Sequence, residues 1–154
     1  MKNEFMKRAI ELSIESVNKG GGPFGSVVTK DNKIISEGFN KVTSTNDPTA
    51  HGEIVAIRNS CKILNSFSLK GCDLYTSCEP CPMCMSAIYW ARIDNVYYAN
   101  TRDDAKKIDF DDSLIYSELL KNINKRKIPM IQIMRDKALK AFELWDKKMD
   151  KIKY

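Results

Sequence analysis

Hydrophobic residues recur along this chain at two different spacings. The first spacing, of three or four residues, is typical of a helix with one apolar face. It occurs near the start of the chain at Met6, Ile10, Ile14 and Val17. It recurs further on at Ile54, Ile57, Cys61 and Leu64. Both segments are predicted to be helices, and the run Gly20–Pro23 ends the first one.

The second kind of hydrophobic segment is a short run bounded by turn residues, which is typical of a strand. Two such runs, 24–29 and 33–39, flank Asp31 and Asn32 and predict a β-hairpin. Further strands are predicted at 74–76, 96–99 and 130–134, and further helices at 81–91 and 113–120. Strands that alternate with helices after an opening hairpin indicate a layered α/β domain with a mixed, five-stranded sheet.

The last part of the chain carries a third apolar stripe. Its members follow one another at steps of three or four residues: Leu139, Phe142, Trp145, Met149 and Ile152. This spacing predicts an amphipathic helix over residues 137–153. Two interpretations of its apolar face stay open, namely packing on its own sheet, or docking on or exchange with a partner subunit. No repeat or low-complexity linker divides the sequence, so we expect a single domain over residues 1–154.

Composition excludes several classes of protein. The 154 residues are 43% hydrophobic and 29% charged, which fits a folded domain rather than a disordered or fibrous chain. The longest nearly apolar run, 83–91, is too short to cross a bilayer, and no apolar segment of the secretory type follows the N-terminal charges. Five cysteines are an odd number, which is typical of a reducing cytosol rather than a disulfide framework. We therefore expect a cytoplasmic protein without membrane contact.

The net charge of +5 is concentrated near the C-terminus. Residues 1–120 hold 14 Lys and Arg against 16 Asp and Glu, whereas residues 121–154 hold 11 against 4. A basic tail of this kind is one signature of nucleic-acid binding. Acidic residues interrupt the tail, however, so a solvated helix face is the favoured interpretation. Nucleic acid is not expected as a partner.

The chemically informative residues lie at two predicted helix starts. His51, the only histidine, precedes Glu53 by two positions, and Cys81 precedes Cys84 by three. Side chains in a first helical turn lean towards the N-terminus, where the helix dipole favours a thiolate. If the two helix starts face each other, one imidazole and two sulfurs meet, and this ligand set suits zinc. A site with several histidines is excluded.

The number of ligands predicts the kind of zinc site. Three protein ligands leave a fourth tetrahedral position to water, which is the catalytic pattern. Water on the zinc loses a proton near neutral pH and becomes the predicted nucleophile. Glu53 is predicted to stay off the metal and to shuttle protons. Such a site suits attack on an amidine-like carbon with release of ammonia.

Three other interpretations of the cysteines stay open. Cys78, Cys81 and Cys84 are candidates for an iron–sulfur cluster, although the bacterial ferredoxin run has a fourth Cys and then Pro where this chain has Ile88 and Tyr89. The last two cysteines alone would fit a dithiol redox site, and Cys78 as a fourth ligand would make the zinc structural. None of these non-catalytic interpretations accounts for the His-x-Glu pair, so the catalytic zinc is favoured.

These motifs also carry a resemblance to a known family. His-x-Glu followed by Pro-Cys-x-x-Cys is the signature of zinc-dependent nucleobase deaminases. Together with the Ile-Tyr-Trp-Ala-Arg run at 88–92 and the Phe-Asp-Asp-Ser run at 110–113, the chain resembles bacterial guanine deaminases of the cytidine-deaminase-like superfamily. The resemblance extends nearly from end to end and includes residues 21–25, 46–51, 76–84 and Tyr154.

The resemblance implies a three-layer αβα sandwich, usually dimeric, that converts the purine base guanine to xanthine and ammonia. One zinc per chain would sit on His51, Cys81 and Cys84, with Glu53 as the proton shuttle. The implied substrate-binding residues are Phe24, Asn40, Gly52, Trp90, Asp112 and Tyr154.

Within that set the resemblance assigns separate roles. Asn40 and Asp112 hydrogen-bond the purine, and Phe24 with the histidine ligand flanks its ring. The segment that ends at Tyr154 is similar to one that exchanges between subunits and helps to close the active site. Gly52 is a departure, because the family usually carries alanine there, yet its backbone amide can still donate to substrate. For Trp90, packing within its helix is the first interpretation and pocket contact the second.

Rival enzymes of the same superfamily stay open at this point. A tRNA adenosine deaminase shares the zinc motif and would use the basic tail on phosphates. Guanosine or cytosine deamination is a further alternative, because pocket depth is not written in a single sequence. A rival of another class is a non-catalytic zinc or cysteine-redox protein. Guanine deamination is the favoured prediction.

Overall fold

A mixed sheet of four strands lies at the centre of the first part of the chain. The computed structural model describes residues 1–154 and divides them into two units, Met1–Asp112 and Ser113–Tyr154. The strands of the first unit are β1 Gly25–Lys30, β2 Lys33–Phe39, β3 Cys72–Cys78 and β4 Asn95–Asn100. Their order is β2-β1-β3-β4, with β3 and β4 parallel and the other pairs antiparallel.

Helices cover both faces of this sheet. The helix α1, Lys2–Asn18, packs on one face over a core of Ala9, Leu12, Val27 and Tyr75. The helices α3, Gly52–Ile63, and α4, Pro82–Ala91, share the core of the opposite face, which includes Val28, Ala56, Ile57, Leu74 and Ile88. Two short helices, α2 Val42–Thr45 and α5 Arg102–Lys106, complete the first unit. The predicted three-layer αβα architecture is confirmed.

The apolar stripe that predicts α1 coincides only in part with the face that the helix buries, since Met6 packs on the core and the rest of the stripe does not. Ile10, Ile14 and Val17 are exposed, whereas the small residues Ala9, Ser13 and Ser16 are buried. Gly25 in β1 explains this choice, because a Cβ there would lie 2.4 Å from the Ala9 carbonyl oxygen. The helix backbone approaches the strand so closely at Gly25 that no side chain fits on the strand there, and the residues that face it are Ala9, Leu12 and Ser13.

The second unit contains two helices, α6 Ser113–Leu119 and α7 Arg135–Lys147, and a short 3₁₀ turn at Ile123–Lys125. The predicted fifth strand at 130–134 was wrong, and the sheet has four strands instead of five. An apolar run favours extended backbone, but a strand also needs a hydrogen-bonding edge, and the second unit contains no strand to offer one.

The C-terminal helix ends earlier than its apolar stripe predicts. We expected a helix over 137–153, but α7 stops at Lys147 and Lys148 is extended. Lys151 folds back and donates to the carbonyl oxygen and the carboxylate of Asp146, which caps the last turn from outside the helix. The later members of the stripe, Met149 and Ile152, therefore lie beyond the helix. None of the helices is long and apolar enough to span a bilayer.

Candidate active site

Two helix starts carry the candidate metal ligands. His51 is the residue before α3 and Cys81 is the residue before α4, and both have extended backbone. Pro82 occupies the first turn of α4, where its fixed φ suits the helix and its missing N–H costs nothing. Cys84 follows in the same turn, so that both sulfurs lie at one end of the helix. The two helix starts face each other, which is the condition that the predicted ligand set requires.

The distances at this point fit a zinc ion. His51 Nδ1 lies 3.6 Å from Cys81 Sγ and 3.5 Å from Cys84 Sγ. The three ligand atoms all lie within 4.8 Å of one another. Tetrahedral zinc with its usual bond lengths to nitrogen and sulfur places those two atoms about 3.5 Å apart. The ligand set and its spacing therefore match a zinc site with three protein ligands.

Cys78 stands outside this group. Its Sγ donates to the Thr101 carbonyl oxygen at 3.5 Å. Burial raises the pKa of its thiol to about 11, so it keeps its proton at neutral pH. The group of candidate ligands consists of one histidine and two cysteines. A fourth sulfur ligand, required for a structural zinc or an iron–sulfur cluster, is not supplied by this arrangement.

The cysteine pair is electrostatically prepared for a cation. A hydrogen bond from Cys84 lowers the pKa of the Cys81 thiol to about 4, so Cys81 is a thiolate at neutral pH. The same hydrogen bond, together with burial, raises the pKa of Cys84. The hydrogen bond to Cys81 also raises the pKa of His51. A divalent cation in place of the shared proton leaves both sulfurs as thiolates, the form that ligates zinc.

Glu53 lies beside the ligands without belonging to their group. Its side chain is buried, with Oε2 3.5 Å from Cys84 Sγ. Its other oxygen, Oε1, accepts a hydrogen bond of 3.3 Å from the Thr76 hydroxyl. Burial raises the pKa of this carboxyl above its usual range. A buried carboxylate next to a zinc site is well placed to take up and release protons.

Asn40 and Phe24 are joined through the backbone next to this centre. The Asn40 amide N–H donates to the Phe24 carbonyl oxygen at 2.9 Å. Its side-chain Oδ1 accepts from the backbone N–H groups of Val42, at 3.2 Å, and Gly22, at 3.5 Å. These bonds fix the side chain of Asn40, which is 6% exposed.

Gly52 lies at the same place, in the first turn of α3. A Cβ at this position would lie 3.2 Å from the Phe24 carbonyl oxygen and 3.3 Å from Ser26 Oγ. Both contacts are tighter than ordinary van der Waals distance. The absence of a side chain at Gly52 therefore lets β1 and the start of α3 approach closely at the site.

The other predicted substrate-binding residues are Asp112, Trp90 and Tyr154. Asp112 closes the first unit, and burial, followed by the nearby charge of Cys81, raises the pKa of its carboxyl. Trp90 lies near the end of α4 and is 65% exposed. Tyr154 belongs to the second unit and is 70% exposed. Contacts with substrate stay predictions for these three residues and equally for Phe24, Asn40 and Gly52.

The sequence patterns did not reveal every residue of this site. Phe110 contacts Phe24 edge to face, with ring centroids 4.9 Å apart. A Cβ at Gly22 would meet both rings and Asn40, so this glycine makes room for the aromatic pair. The available sequence signal for Phe110 was its place in the Phe-Asp-Asp-Ser run, one of the segments that carry the family resemblance. The hydroxyl of Thr76 gave no signal, because its partner Glu53 is distant in sequence.

A family model matches most of the first unit. Residues 1–100 match the model for the cytidine and deoxycytidylate deaminase zinc-binding region. This range contains His51, Cys81 and Cys84, the group whose geometry fits zinc. The predicted zinc cofactor is confirmed by this match together with the ligand group.

Individual proteins match over different lengths. Guanine deaminase of Bacillus subtilis (strain 168) is 52% identical over 151 residues, which are 97% of each protein. The X-ray structure of guanine deaminase from Bacillus subtilis has a TM-score of 0.96, at 51% identity, and covers 99% of this chain and 98% of that one. The tRNA-specific adenosine deaminase of Aquifex aeolicus (strain VF5) is 40% identical over 98 residues, 64% of this chain and 65% of that protein.

Proposed function

We propose that this chain, which belongs to the cytidine and deoxycytidylate deaminase family of zinc-dependent aminohydrolases, converts guanine to xanthine and ammonia. The observation that carries the chemistry is the group of three zinc ligands with Glu53 next to it and outside it. The near end-to-end similarity to a guanine deaminase supports the choice of base.

The reaction is a hydrolysis in which nothing is oxidised or reduced. A zinc ion held by His51, Cys81 and Cys84 would make water a nucleophile near neutral pH. Glu53 takes one proton from the attacking water and delivers it to a ring nitrogen of the purine, and it then transfers the second proton, from the hydroxyl group formed on the ring carbon, to the leaving amine. A carbon–oxygen bond forms at the carbon that carries the exocyclic amine, the carbon–nitrogen bond breaks, and ammonia leaves.

Side chains around the ligands orient the base. With Oδ1 of Asn40 engaged by backbone N–H groups, its Nδ2 group is the donor for an acceptor atom of the purine. The carboxyl group of Asp112 accepts from purine N–H groups, and the Gly52 amide, at the free N-terminal end of α3, donates to substrate. The edge-to-face pair Phe24 and Phe110 offers an apolar wall for the flat ring.

A substrate screen tests the choice of base. Purified, zinc-loaded protein would be given guanine, guanosine, adenine, cytosine and tRNA, and ammonia would be measured for each. We expect guanine to be the preferred substrate. A clear preference for any of the others would refute the proposed substrate while leaving the zinc chemistry intact.

A tRNA adenosine deaminase is the second candidate, favoured by the 40% identity to the Aquifex aeolicus enzyme. It predicts tight binding to tRNA that weakens steeply as salt is raised, because the basic tail would neutralise phosphates. Two observations weigh against it. The match covers 64% of this chain, and residues 1–120, which hold the candidate site, carry more acidic than basic residues.

The assembly proposed for this enzyme is a cytoplasmic homodimer. The second unit leaves many of its apolar side chains exposed, among them Ile131, Phe142 and Met149, at 81%, 74% and 99%. Such exposure favours burial against a second copy of the chain. We propose that α7 and the segment after it dock on, or exchange with, the partner subunit, and that Tyr154 thereby helps to close a site.

A further inference from the structure

Two buried hydroxyl groups face α3 from the sheet, next to the candidate active site. Ser26 in β1 lies directly opposite Thr76 in β3. The next pair on the same face of the sheet, Val28 opposite Leu74, is apolar and belongs to the core. Ser26 is 0% exposed and Thr76 is 1% exposed. The sheet therefore places these two hydroxyls beyond the apolar pair, at the end that meets the zinc ligands.

The two hydroxyls form a directed chain of hydrogen bonds that ends on Glu53. Ser26 Oγ donates to Thr76 Oγ1 at 3.0 Å, and Thr76 Oγ1 donates to Glu53 Oε1 at 3.3 Å. A hydroxyl has a single proton to donate. Because Thr76 accepts from Ser26, its own proton is left to point at the carboxylate.

The start of α3 leaves room for these two hydrogen bonds. A Cβ at position 52 would lie 3.3 Å from Ser26 Oγ, closer than about nine in ten real Cβ contacts. Gly52, which has no side chain, gives the Ser26 hydroxyl its space. The glycine and the serine thus fit each other.

We propose that Thr76 is a positioning residue for Glu53, and that Ser26 sets the direction in which Thr76 donates. The inference rests on the proposed function, in which Glu53 transfers the protons. The hydrogen bond holds Oε1 on the sheet side, and it keeps Oε2 on the side of the zinc ligands, 3.5 Å from Cys84 Sγ. Oε2 is then the oxygen that exchanges protons, and Oε1 is the anchored one.

Replacement of the hydroxyl by a methyl group tests this role. Thr76→Val preserves the shape of the side chain and removes the donor. We expect kcat to fall roughly 10-fold, about 1.4 kcal/mol in the barrier, with KM within 2-fold and one zinc per chain retained. Thr76→Ser, which keeps the donor, should restore kcat to within about 3-fold of the unchanged enzyme. Ser26→Ala should lower kcat by less than Thr76→Val does.

A crystal structure of zinc-loaded Thr76→Val gives a readout independent of activity. We expect the Glu53 carboxylate to occupy more than one rotamer, where the unchanged protein shows one with Oε1 against Thr76. Ser36→Ala is the matched control, because Ser36 is also a buried strand hydroxyl, 2.6 Å from Ser60 Oγ and 2.7 Å from the Ala56 carbonyl oxygen. It should lower the melting temperature and leave kcat unchanged.

Several results would overturn the proposal. The proposal is refuted if Thr76→Val keeps the kcat of the unchanged enzyme, keeps Glu53 in its single native rotamer, or loses its zinc. It is also refuted if Thr76→Ser loses as much kcat as Thr76→Val. The proposed function fails in a different way, through absence of ammonia release from guanine by the unchanged enzyme. In that case the variants are compared on whichever base the unchanged enzyme deaminates. If it deaminates none of them, the rotamer of Glu53 in the crystal structures tests the proposal.

Discussion

At the scale of single residues, the proposed zinc site depends on three side chains that no other residue replaces. His51 is the only histidine, and Cys78 points its thiol at the Thr101 carbonyl oxygen rather than at the other ligands. Loss of any one ligand leaves two, which cannot hold the ion tightly. The metal and the activity should therefore be lost together.

Substitution of the ligands tests this dependence. His51→Ala and Cys81→Ser should each lower the zinc content from one per chain to well below one and abolish deamination, because a tetrahedral zinc site needs at least three protein ligands. Zinc is measured by atomic absorption after dialysis. Cys61→Ser is the control, since Cys61 is a cysteine of α3 outside the ligand group, and it should keep its zinc. Retention of zinc by His51→Ala would refute the ligand set.

The residue types of the site could be predicted from sequence, because few side chains ligate zinc and their spacing at helix starts is characteristic. His51, Cys81 and Cys84 meet as expected. The hydrogen bond between Thr76 and Glu53 could not be predicted in this way. It depends on the register between β1 and β3 and on how α3 lies across them, and neither leaves a local mark in the sequence.

At the scale of elements, glycines in the sheet set how closely the helices approach. A Cβ at Gly38 in β2 would lie 2.4 Å from the Gly52 carbonyl oxygen and 2.5 Å from the Ala56 amide nitrogen. Both are backbone atoms of α3, so the helix as a whole would have to move. The first turn of that helix carries Glu53.

Gly38→Ala should therefore damage both stability and activity. We expect the free energy of unfolding to fall by about 1–3 kcal/mol, the usual cost of overpacking, with a parallel loss of kcat. Urea unfolding and ammonia release measure the two effects. Lys33→Ala, an exposed position of the same strand, should change neither. Unchanged stability in Gly38→Ala would show that α3 is not in contact with β2 at this point.

A second contact between elements joins α1 to β2. Arg8 donates from Nε and Nη2 to the two carboxylate oxygens of Glu37, at 2.7 and 2.8 Å. The hydrogen bonds from Arg8 lower the pKa of Glu37 below its ordinary value of 4.5. The folded state therefore binds a proton at Glu37 less readily than the unfolded chain does.

This shift predicts a dependence of stability on pH. A lowered pKa contributes stability that is fully present above the unfolded value and is lost as pH falls through the folded value. Because both side chains are about one-third exposed, the contribution is on the order of 1 kcal/mol or less. Urea unfolding at a series of pH values from neutral down to about 3 should show a smaller acid loss in Glu37→Gln than in the unchanged protein. An equal loss of stability at acid pH in both proteins would refute the predicted contribution of Glu37.

Most elements could be predicted from hydrophobic spacing, but their packing could not. The helix α1 forms as its spacing indicates, yet it buries the face of Ala9, Leu12 and Ser13 instead of Ile14, because that face lies against Gly25. The run 130–134 has the composition of a strand and lacks an edge to join within its unit. Periodicity describes a segment, whereas pairing and burial depend on its neighbours.

At the scale of the whole molecule, the proposed homodimer can be tested by its mass in solution. Sedimentation equilibrium should give twice the mass of one chain. Phe142→Asp, which places a charge on the exposed apolar face of α7, should shift the equilibrium towards the monomer, because a buried unpaired charge is costly. Lys140→Asp, an exposed polar position of the same helix, should leave it dimeric. A monomer at micromolar concentration would refute the dimer.

The proposed reaction depends above all on proton transfer by Glu53 in the hydrolysis of guanine. The most direct measurement is ammonia release from guanine by the unchanged protein and by Glu53→Gln, with zinc determined in both samples. We predict turnover by the unchanged protein, and a loss of at least about 100-fold in Glu53→Gln at one zinc per chain, since general acid–base groups contribute that much or more. Absence of ammonia from the unchanged, zinc-loaded protein, or full activity in Glu53→Gln, would contradict it.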